Sequence, residues 1–342
     1  MAPAPDLIPK LAAAVLPVCL FLTALIYLDS YKLVPLRRIV GVIALGGVLA
    51  GAAWVLNGVL FSDEQGAHPL VVAFGAALVE EILKAIPIVW LLGSRRIAFL
   101  VDAAICGFAV GTGFALVENV YYLVELPHSP VMLWLVRGFG TAVMHGGVTA
   151  IFAIMATAFA TRFGSRRRDL FVPGLALAVL VHALFNQYLT APIVTTALVL
   201  VLLPPLMVLV FIRSERSLES WLSFGFDVDA EMLRLLQSGN LSESAVGLYL
   251  KSLRDRLRGE VLADMVCYLR VRAELSLRAK GILMMRESGH PVPPDPSIRA
   301  KLEELRWLAK SIGPTGRLAL APLLARSAED LWELTLLESR AP

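Results

Sequence analysis

The chain has 342 residues, of which 57% belong to the apolar set and 17% are charged, and its mean hydropathy is +0.72. A soluble domain is about 45–50% apolar and about 25% charged, so a disordered chain, a fibrous repeat and a small secreted scaffold are excluded. A formal net charge of +3 is too small a field to hold nucleic acid, and no such partner is expected.

Charge is spread unevenly. Residues 1–212 hold 22 of the 59 charged residues and residues 213–342 hold 37. This divides the chain into a membrane part, 1–212, and a soluble part, 213–342. The first part contains seven apolar runs of roughly the length that crosses a bilayer: 7–28, 39–61, 70–92, 98–123, 131–160, 171–190 and 194–212. The leader Met1-Ala-Pro-Ala-Pro-Asp6 has an acid and no basic cluster, so the first run reads as a retained helix rather than a signal peptide. Lys32, Arg37 and Arg38 follow the first run, Arg95 and Arg96 the third, and Arg162, Arg166, Arg167 and Arg168 the fifth. The intervening loops carry only Asp63, Glu64 and Glu125 as charges. By the positive-inside rule the N-terminus is extracytoplasmic and the C-terminal part cytoplasmic.

Ionisable residues inside the runs are the informative ones, because a central Asp, Lys or Arg costs about 2.5–3.5 kcal/mol on insertion scales. The third run contains Glu80-Glu81-Ile-Leu-Lys84 near its middle. At 100° per residue the three charged side chains share one face, with Lys84 placed to pair with either carboxylate. A plain interhelical salt bridge would leave the second Glu unexplained. The fourth run ends Phe114-Ala-Leu-Val-Glu118-Asn119, followed by Tyr121 and Tyr122, which suit an interfacial belt. The fifth carries His145 at its centre, flanked by Gly146 and Gly147 and, one turn away on either side, by Thr141 and Thr149. Arg137, two turns earlier, reads as a structural residue that snorkels to the outer surface. The sixth contains His182 and Asn186 on one face, four residues apart. Cys19, Cys106 and Cys267 match no disulfide framework or metal pattern.

The soluble part reads as helical. Leu233, Leu236, Leu241, Val246, Leu250, Leu253 and Leu257 recur at helical spacing, and an amphipathic stretch follows at 260–287. Pro291-Val-Pro-Pro-Asp-Pro296 breaks it, and further helices are expected at 297–311 and 316–338. No nucleotide loop, zinc pattern or long heptad series is present, so this part is read as an interaction or regulatory module for a cytoplasmic protein partner. The expected fold class is all-α, a polytopic bundle of about seven transmembrane helices followed by a soluble helical domain.

Four consecutive runs thus contribute Glu80, Glu81, Glu118, His145, His182 and Asn186, and one shared cavity is more economical than four separate pairings. Two chemistries suit the set. In one a carboxylate activates water while donors stabilise a tetrahedral intermediate. In the other a divalent metal such as zinc, held by two Glu and two His (Glu81, Glu118, His145, His182), activates it. No HExxH is present, so a zincin-type site is excluded. A proton-coupled transporter or channel using a Glu/His relay, and a non-catalytic scaffold or sensor, are the alternatives. No repeated half with matching broken helices supports the transporter.

Glu80-Glu81-x-x-Lys84, Phe114-x-x-x-Glu118-Asn119, the central His145 and His182-x-x-x-Asn186 together resemble the PrsW family of intramembrane proteases, distant relatives of the CAAX prenyl endopeptidases. The resemblance covers about residues 70–190 and the surrounding spans, not the tail. The CAAX-type pattern is EExxxR with a His where Glu118 stands, so EExxK and Glu118 favour PrsW. The resemblance implies a polytopic protease, metallo- or glutamate-type, that cuts a membrane-associated protein, such as an anti-sigma-factor-like regulator, within the lipid bilayer. It implies Glu80 as the base that activates water. Glu81 would orient it, share its proton or ligate a metal. His182 and Asn186 would polarise the scissile carbonyl, with Lys84 and Asn119 in support.

Overall fold

The computed structural model describes residues 7–61, 69–163, 168–187, 191–238, 240–324 and 327–338. The leader Met1–Asp6 and the loop charges Asp63, Glu64, Arg166 and Arg167 lie outside the described residues. The described chain is helical, without a strand, and divides into two compact units, Met1–Glu215 and Arg216–Pro342.

The first unit is built from α1 (Leu7–Leu28), α2 (Leu36–Phe61), α3 (Pro69–Gly93), α4 (Leu100–Glu125), α5 (Val131–Val136), a π-helical turn (Arg137–Ala142), α6 (Val143–Phe163), α7 (Val172–Asn186) and the start of α8 (Pro192–Gln237). Among the described residues, six helical stretches are long and apolar enough to cross a membrane, with α5 to α6 counted as one. The remaining expected span, α3, has 25 residues but carries Glu80, Glu81 and Lys84 within it. The all-α polytopic bundle expected from composition is the fold observed.

α4 is the axis of this bundle. Every residue from Val101 to Ala115 is buried. Its N-terminus is satisfied locally: the Asp102 carboxylate accepts from the backbone N–H groups of Ala98 at 3.0 Å and Phe99 at 2.9 Å. Gly107 and Gly111, one turn apart, let α6 approach backbone to backbone, as small residues do in lipid. A methyl on Gly111 would overlap the carbonyl of His145. The outer faces are apolar and exposed, with Ile82, Ile86 and Trp90 on α3 and Val48, Trp54 and Val59 on α2, as a lipid-facing surface requires.

The fifth expected span is not one straight α-helix. The π-helical turn interrupts it where Gly138 lies against the Ala13 carbonyl and Gly140 against Thr196, contacts that leave no room for a Cβ. The seventh expected span does not stop at residue 212. No Gly or Pro stands between positions 206 and 224, so nothing breaks the helix, and α8 runs on to Gln237 with Leu218 and Leu222 buried.

The ends of the first unit sort into two sides. Arg38 Nη1 donates to the Arg96 carbonyl at 2.8 Å, and Val101 N–H donates to Ser214 Oγ at 3.2 Å. At the other end Lys10 Nζ donates to the Pro127 carbonyl at 2.9 Å. The loops after α1 and α3 therefore share a side with the point where the apolar part of α8 ends.

The second unit contains the rest of α8, α9 (Ala245–Ser252), α10 (Gly259–Glu287), α11 (Ser297–Ser311), α12 (Gly313–Ala319) and α13 (Ala328–Glu338). Leu250, Met265, Leu269, Ile312 and Leu320 form its apolar core. The expected helix over 316–338 is split, because Pro322 sits in a short 3-10 turn and cannot donate to the preceding turn. Lys280 is buried against Asp229 at 2.6 Å, Ser276 at 2.6 Å and Glu333 at 3.2 Å, and Arg272 also pairs with Glu333.

Gly111→Val is expected to destabilise the first unit by about 1–3 kcal/mol, the usual cost of overpacking. A fall in the unfolding temperature of the detergent-solubilised protein checks this. Gly51→Val, where nothing lies within 4 Å of the added Cβ, should leave it unchanged.

Candidate active site

α3 turns one charged edge inward. Glu81 and Lys84 are buried, and Ile88 and Leu91 continue the same face in apolar form. Lys84 Nζ donates to Glu81 Oε1 at 2.6 Å and to His145 Nδ1 at 2.9 Å, and it lies 4.4 Å from the Phe114 ring centroid. Because an ammonium only donates, Nδ1 of His145 accepts, and Nε2 is the nitrogen left to face the site. The same Glu81 oxygen lies 2.7 Å from His182 Nδ1. A carboxylate already paired with an ammonium accepts there, so Nδ1–H of His182 donates and its Nε2 is directed away. The two imidazoles meet edge to face, with centroids 4.7 Å apart.

From His145 the polar chain runs on to α4. Glu118 Oε2 lies 2.8 Å from His145 Nε2, yet the approach does not form a well-aligned hydrogen bond, and this oxygen is buried without another partner among the described residues. Glu118 Oε1 accepts from Arg137 Nη2 at 3.1 Å, and Arg137 Nε donates to Asn119 Oδ1 at 3.0 Å. Asn119 Nδ2 in turn donates to the Ala14 carbonyl of α1 at 2.9 Å. The Arg137 guanidinium is stacked 4.1 Å from the Tyr122 centroid. Arg137 therefore does not snorkel. It is buried, because the π-helical turn directs it into the bundle and α4 supplies two acceptors.

Glu80 stands apart from these pairs. Its Oε1 receives a long hydrogen bond, 3.4 Å, from Asn57 Nδ2 of α2, and its Oε2 lies 3.7 Å from His182 Nε2. Three carboxylates, Glu80, Glu81 and Glu118, thus meet two permanent cations, Lys84 and Arg137. Lys84 is spent on Glu81 and Arg137 on Glu118. Among the described residues, Glu80 is the carboxylate of the cluster left without a Lys or Arg partner, at the edge where both imidazoles converge.

Of the residues expected from sequence, Glu80, Glu81, Lys84, Glu118, Asn119, His145 and His182 are brought into one network. Asn186 is not. It lies one turn beyond His182 at the exposed end of α7 and takes no part in these hydrogen bonds. Asn57 and Arg137 were not among the expected site residues. Asn57 is the sole amide side chain of α2, a signal of the kind that marks a buried helix contact in lipid.

Glu80, His145 and His182 each offer one ligand atom, and the three atoms lie within 4.8 Å of one another. Two imidazoles and a carboxylate make a three-ligand set that leaves a fourth position open, as in catalytic zinc sites. Ligand atoms at about 2.0–2.1 Å from a tetrahedral ion would be about 3.4 Å apart, so the set must close by up to about 1.4 Å at its widest. The pairing of His182 Nδ1 with Glu81 is the outer-shell support that such ligands use. By residue type the donor set suits a small divalent cation, but His145 would have to release Lys84 or Glu118 to offer a lone pair, because Nδ1 accepts from Lys84 and Nε2 then carries the ring proton beside Glu118. The expected ligand list overlaps this set at His145 and His182; Glu81 is committed to Lys84 and His182, and Glu80 reaches the open edge.

A helical membrane bundle with carboxylates and imidazoles converging from several spans defines a polytopic membrane protein with a polar site inside the bundle. Residues 34–212 match the model of the PrsW family intramembrane metalloproteases, and the chain belongs to that family. It is therefore an intramembrane protease. No curated protein and no solved structure matches the chain.

Lys84→Met should destabilise the first unit by about 3–5 kcal/mol, because it leaves the Glu81 carboxylate buried without its cation. Thermal unfolding in detergent measures the loss. Lys84→Arg, which keeps the charge, should recover most of it.

Proposed function

We propose that this protease hydrolyses a peptide bond of a membrane-anchored protein, with Glu80 as the group that activates water. The observation that carries this reading is the charge count. Glu80 alone among the three carboxylates lacks a Lys or Arg partner, and it faces the space beside His182 Nε2. Glu80 takes a proton from the attacking water as the new C–O bond forms at the carbonyl carbon. It then returns that proton to the amide nitrogen as the C–N bond breaks. His182, with its ring fixed by Glu81 through Nδ1, would donate to the carbonyl oxygen through an Nε2–H as that atom becomes an oxyanion. Glu81, fixed by Lys84, holds the His182 ring through Nδ1. Asn186, one turn further along the same face, is placed to hydrogen-bond the backbone of an incoming peptide.

Glu80, His145 and His182 would hold a divalent cation such as zinc, which when bound supplies an acidified water and a Lewis acid for the carbonyl. In that form the three ligand side chains would draw together, with His182 binding as the neutral ring.

The site lies toward the extracytoplasmic half of the bilayer. Glu118 is seven residues, about 10 Å, from the end of α4, and His182 is four residues, about 6 Å, from the end of α7. Arg38, Arg95, Arg96 and Arg162 put the opposite side in the cytoplasm by the positive-inside rule, and the second unit is cytoplasmic in this reading. A substrate of the anti-sigma-factor type, a single-span regulator, suits such a site, and the second unit would bind a cytoplasmic protein partner.

Glu80→Gln should abolish cleavage while the protein stays inserted and folded. Mass spectrometry of membrane-derived peptides from cells carrying either form checks this. Fragments that disappear with Glu80→Gln identify the substrate, and an unchanged fragment set contradicts the assignment. For the cation, elemental analysis of the purified protein should find about one equivalent of zinc or a similar ion, in line with a single three-ligand site. Chelation should stop cleavage and added zinc should restore it. Full cleavage by a metal-free preparation would remove the cation from the account.

A further inference from the structure

We propose that Arg137 is a positioning residue of this protease, acting through Glu118 on His145. The inference rests on the reading above that His145 works at the site.

Glu118 has two oxygens with different surroundings. Oε1 is held by Arg137 Nη2 at 3.1 Å, while Oε2 is buried 2.8 Å from His145 Nε2. The guanidinium is itself fixed on three sides, by Nε to Asn119 Oδ1 at 3.0 Å, by the Tyr122 ring at 4.1 Å and by Glu118. A planar fork with two donors engaged is a rigid support, which a flexible ammonium is not. Asn119 passes the constraint on to the Ala14 carbonyl at 2.9 Å. With Oε1 fixed, Glu118 has one oxygen left, and it is turned toward His145.

Arg137 reaches this place because it opens the π-helical turn, Arg137–Ala142. A π-turn contains one more residue than an α-turn, so it redirects the side chain that a straight helix would point elsewhere, and such turns recur at functional sites. The turn is held by the close contact of Gly138 with the Ala13 carbonyl. Without Arg137, Glu118 would be a buried carboxylate with only a neutral imidazole beside it. With Oε1 released it would reorient, and that changes what His145 Nε2 faces.

The test uses the full-length protein in detergent or nanodiscs, labelled for histidine ring-nitrogen NMR. In Arg137→Gln the His145 ring signals should move toward their positions in Glu118→Gln. The His182 and His290 signals should stay in place, and Arg137→Lys should lie between wild type and Arg137→Gln. A merely structural role for Arg137 would instead move His182 as well and lower the unfolding temperature in all variants. On a fluorogenic peptide with an apolar single-span sequence, with Glu80→Gln as the blank, Arg137→Gln should lower kcat about 10–100-fold, the usual effect of removing an outer-shell support. KM should change by less than about twofold, because Arg137 is buried behind Glu118. The double variant Arg137→Gln/Glu118→Gln should be no worse than Glu118→Gln alone. Unmoved His145 signals in Arg137→Gln, or losses that add in the double variant, would overturn the proposal. Absence of cleavage by the wild type itself would count against the proteolytic reading and leave the NMR result to decide on Arg137.

Discussion

A buried ion pair inside a lipid-soluble bundle governs this molecule. Glu81 and Lys84 stand one helical turn apart on α3, both buried, 2.6 Å apart. A polar group left over in the hydrocarbon core is costly, so the further partners of this pair come from other helices. His182 of α7 takes up Glu81, and His145 of α6 takes up Lys84. His145 then faces Glu118 of α4, which needs Arg137 of the π-helical turn, which needs Asn119, which is tied to α1. Each link answers a desolvation cost raised by the one before it. The site is therefore also the polar skeleton of the bundle, with Glu80 the carboxylate of the cluster that no Lys or Arg holds among the described residues.

That skeleton depends on very close helix approach. Gly107 and Gly111 bring α4 against α6, and the π-helical turn brings Arg137 down onto Glu118 and Asn119. These devices contribute little apolar area, and in lipid they need not, since association rests on packing and on hydrogen bonds rather than on escape from water. The same feature explains why the outer surface of the unit is apolar while its centre holds three carboxylates. This reverses the order of a soluble domain, whose charges lie outside and whose apolar groups lie inside.

Much of the site was legible because ionisable residues are expensive in a span and stand out against Leu, Val and Ala. Glu80, Glu81, Lys84, Glu118, His145 and His182 were visible on that ground alone. What could not be seen was pairing. Arg137 lies near the outer third of its run, where snorkelling is the common fate of an arginine, and nothing in Leu135-Val136-Arg137-Gly138-Phe139-Gly140 announces a π-turn. Asn57 was overlooked because a single amide costs far less than a charge. Asn186 shares a face with His182, but it is the last residue of α7, exposed and outside the hydrogen-bonded cluster. Boundaries failed for local reasons: α8 had no breaker at residue 212, while Pro322 split a segment whose hydrophobic spacing was continuous. The bundle itself was readable from apolar length, and α3 from length despite its charges.

The central claim is that water enters this polar cluster and splits a peptide bond within the bilayer. It is tested most directly with the purified protein reconstituted in vesicles together with a single-span peptide, in water enriched in heavy oxygen. Mass spectrometry of the products should show a new C-terminal carboxyl carrying one heavy oxygen, at a bond inside the apolar stretch toward its extracytoplasmic half. A peptide recovered intact, or cut only in its flanking soluble segments, would contradict the account.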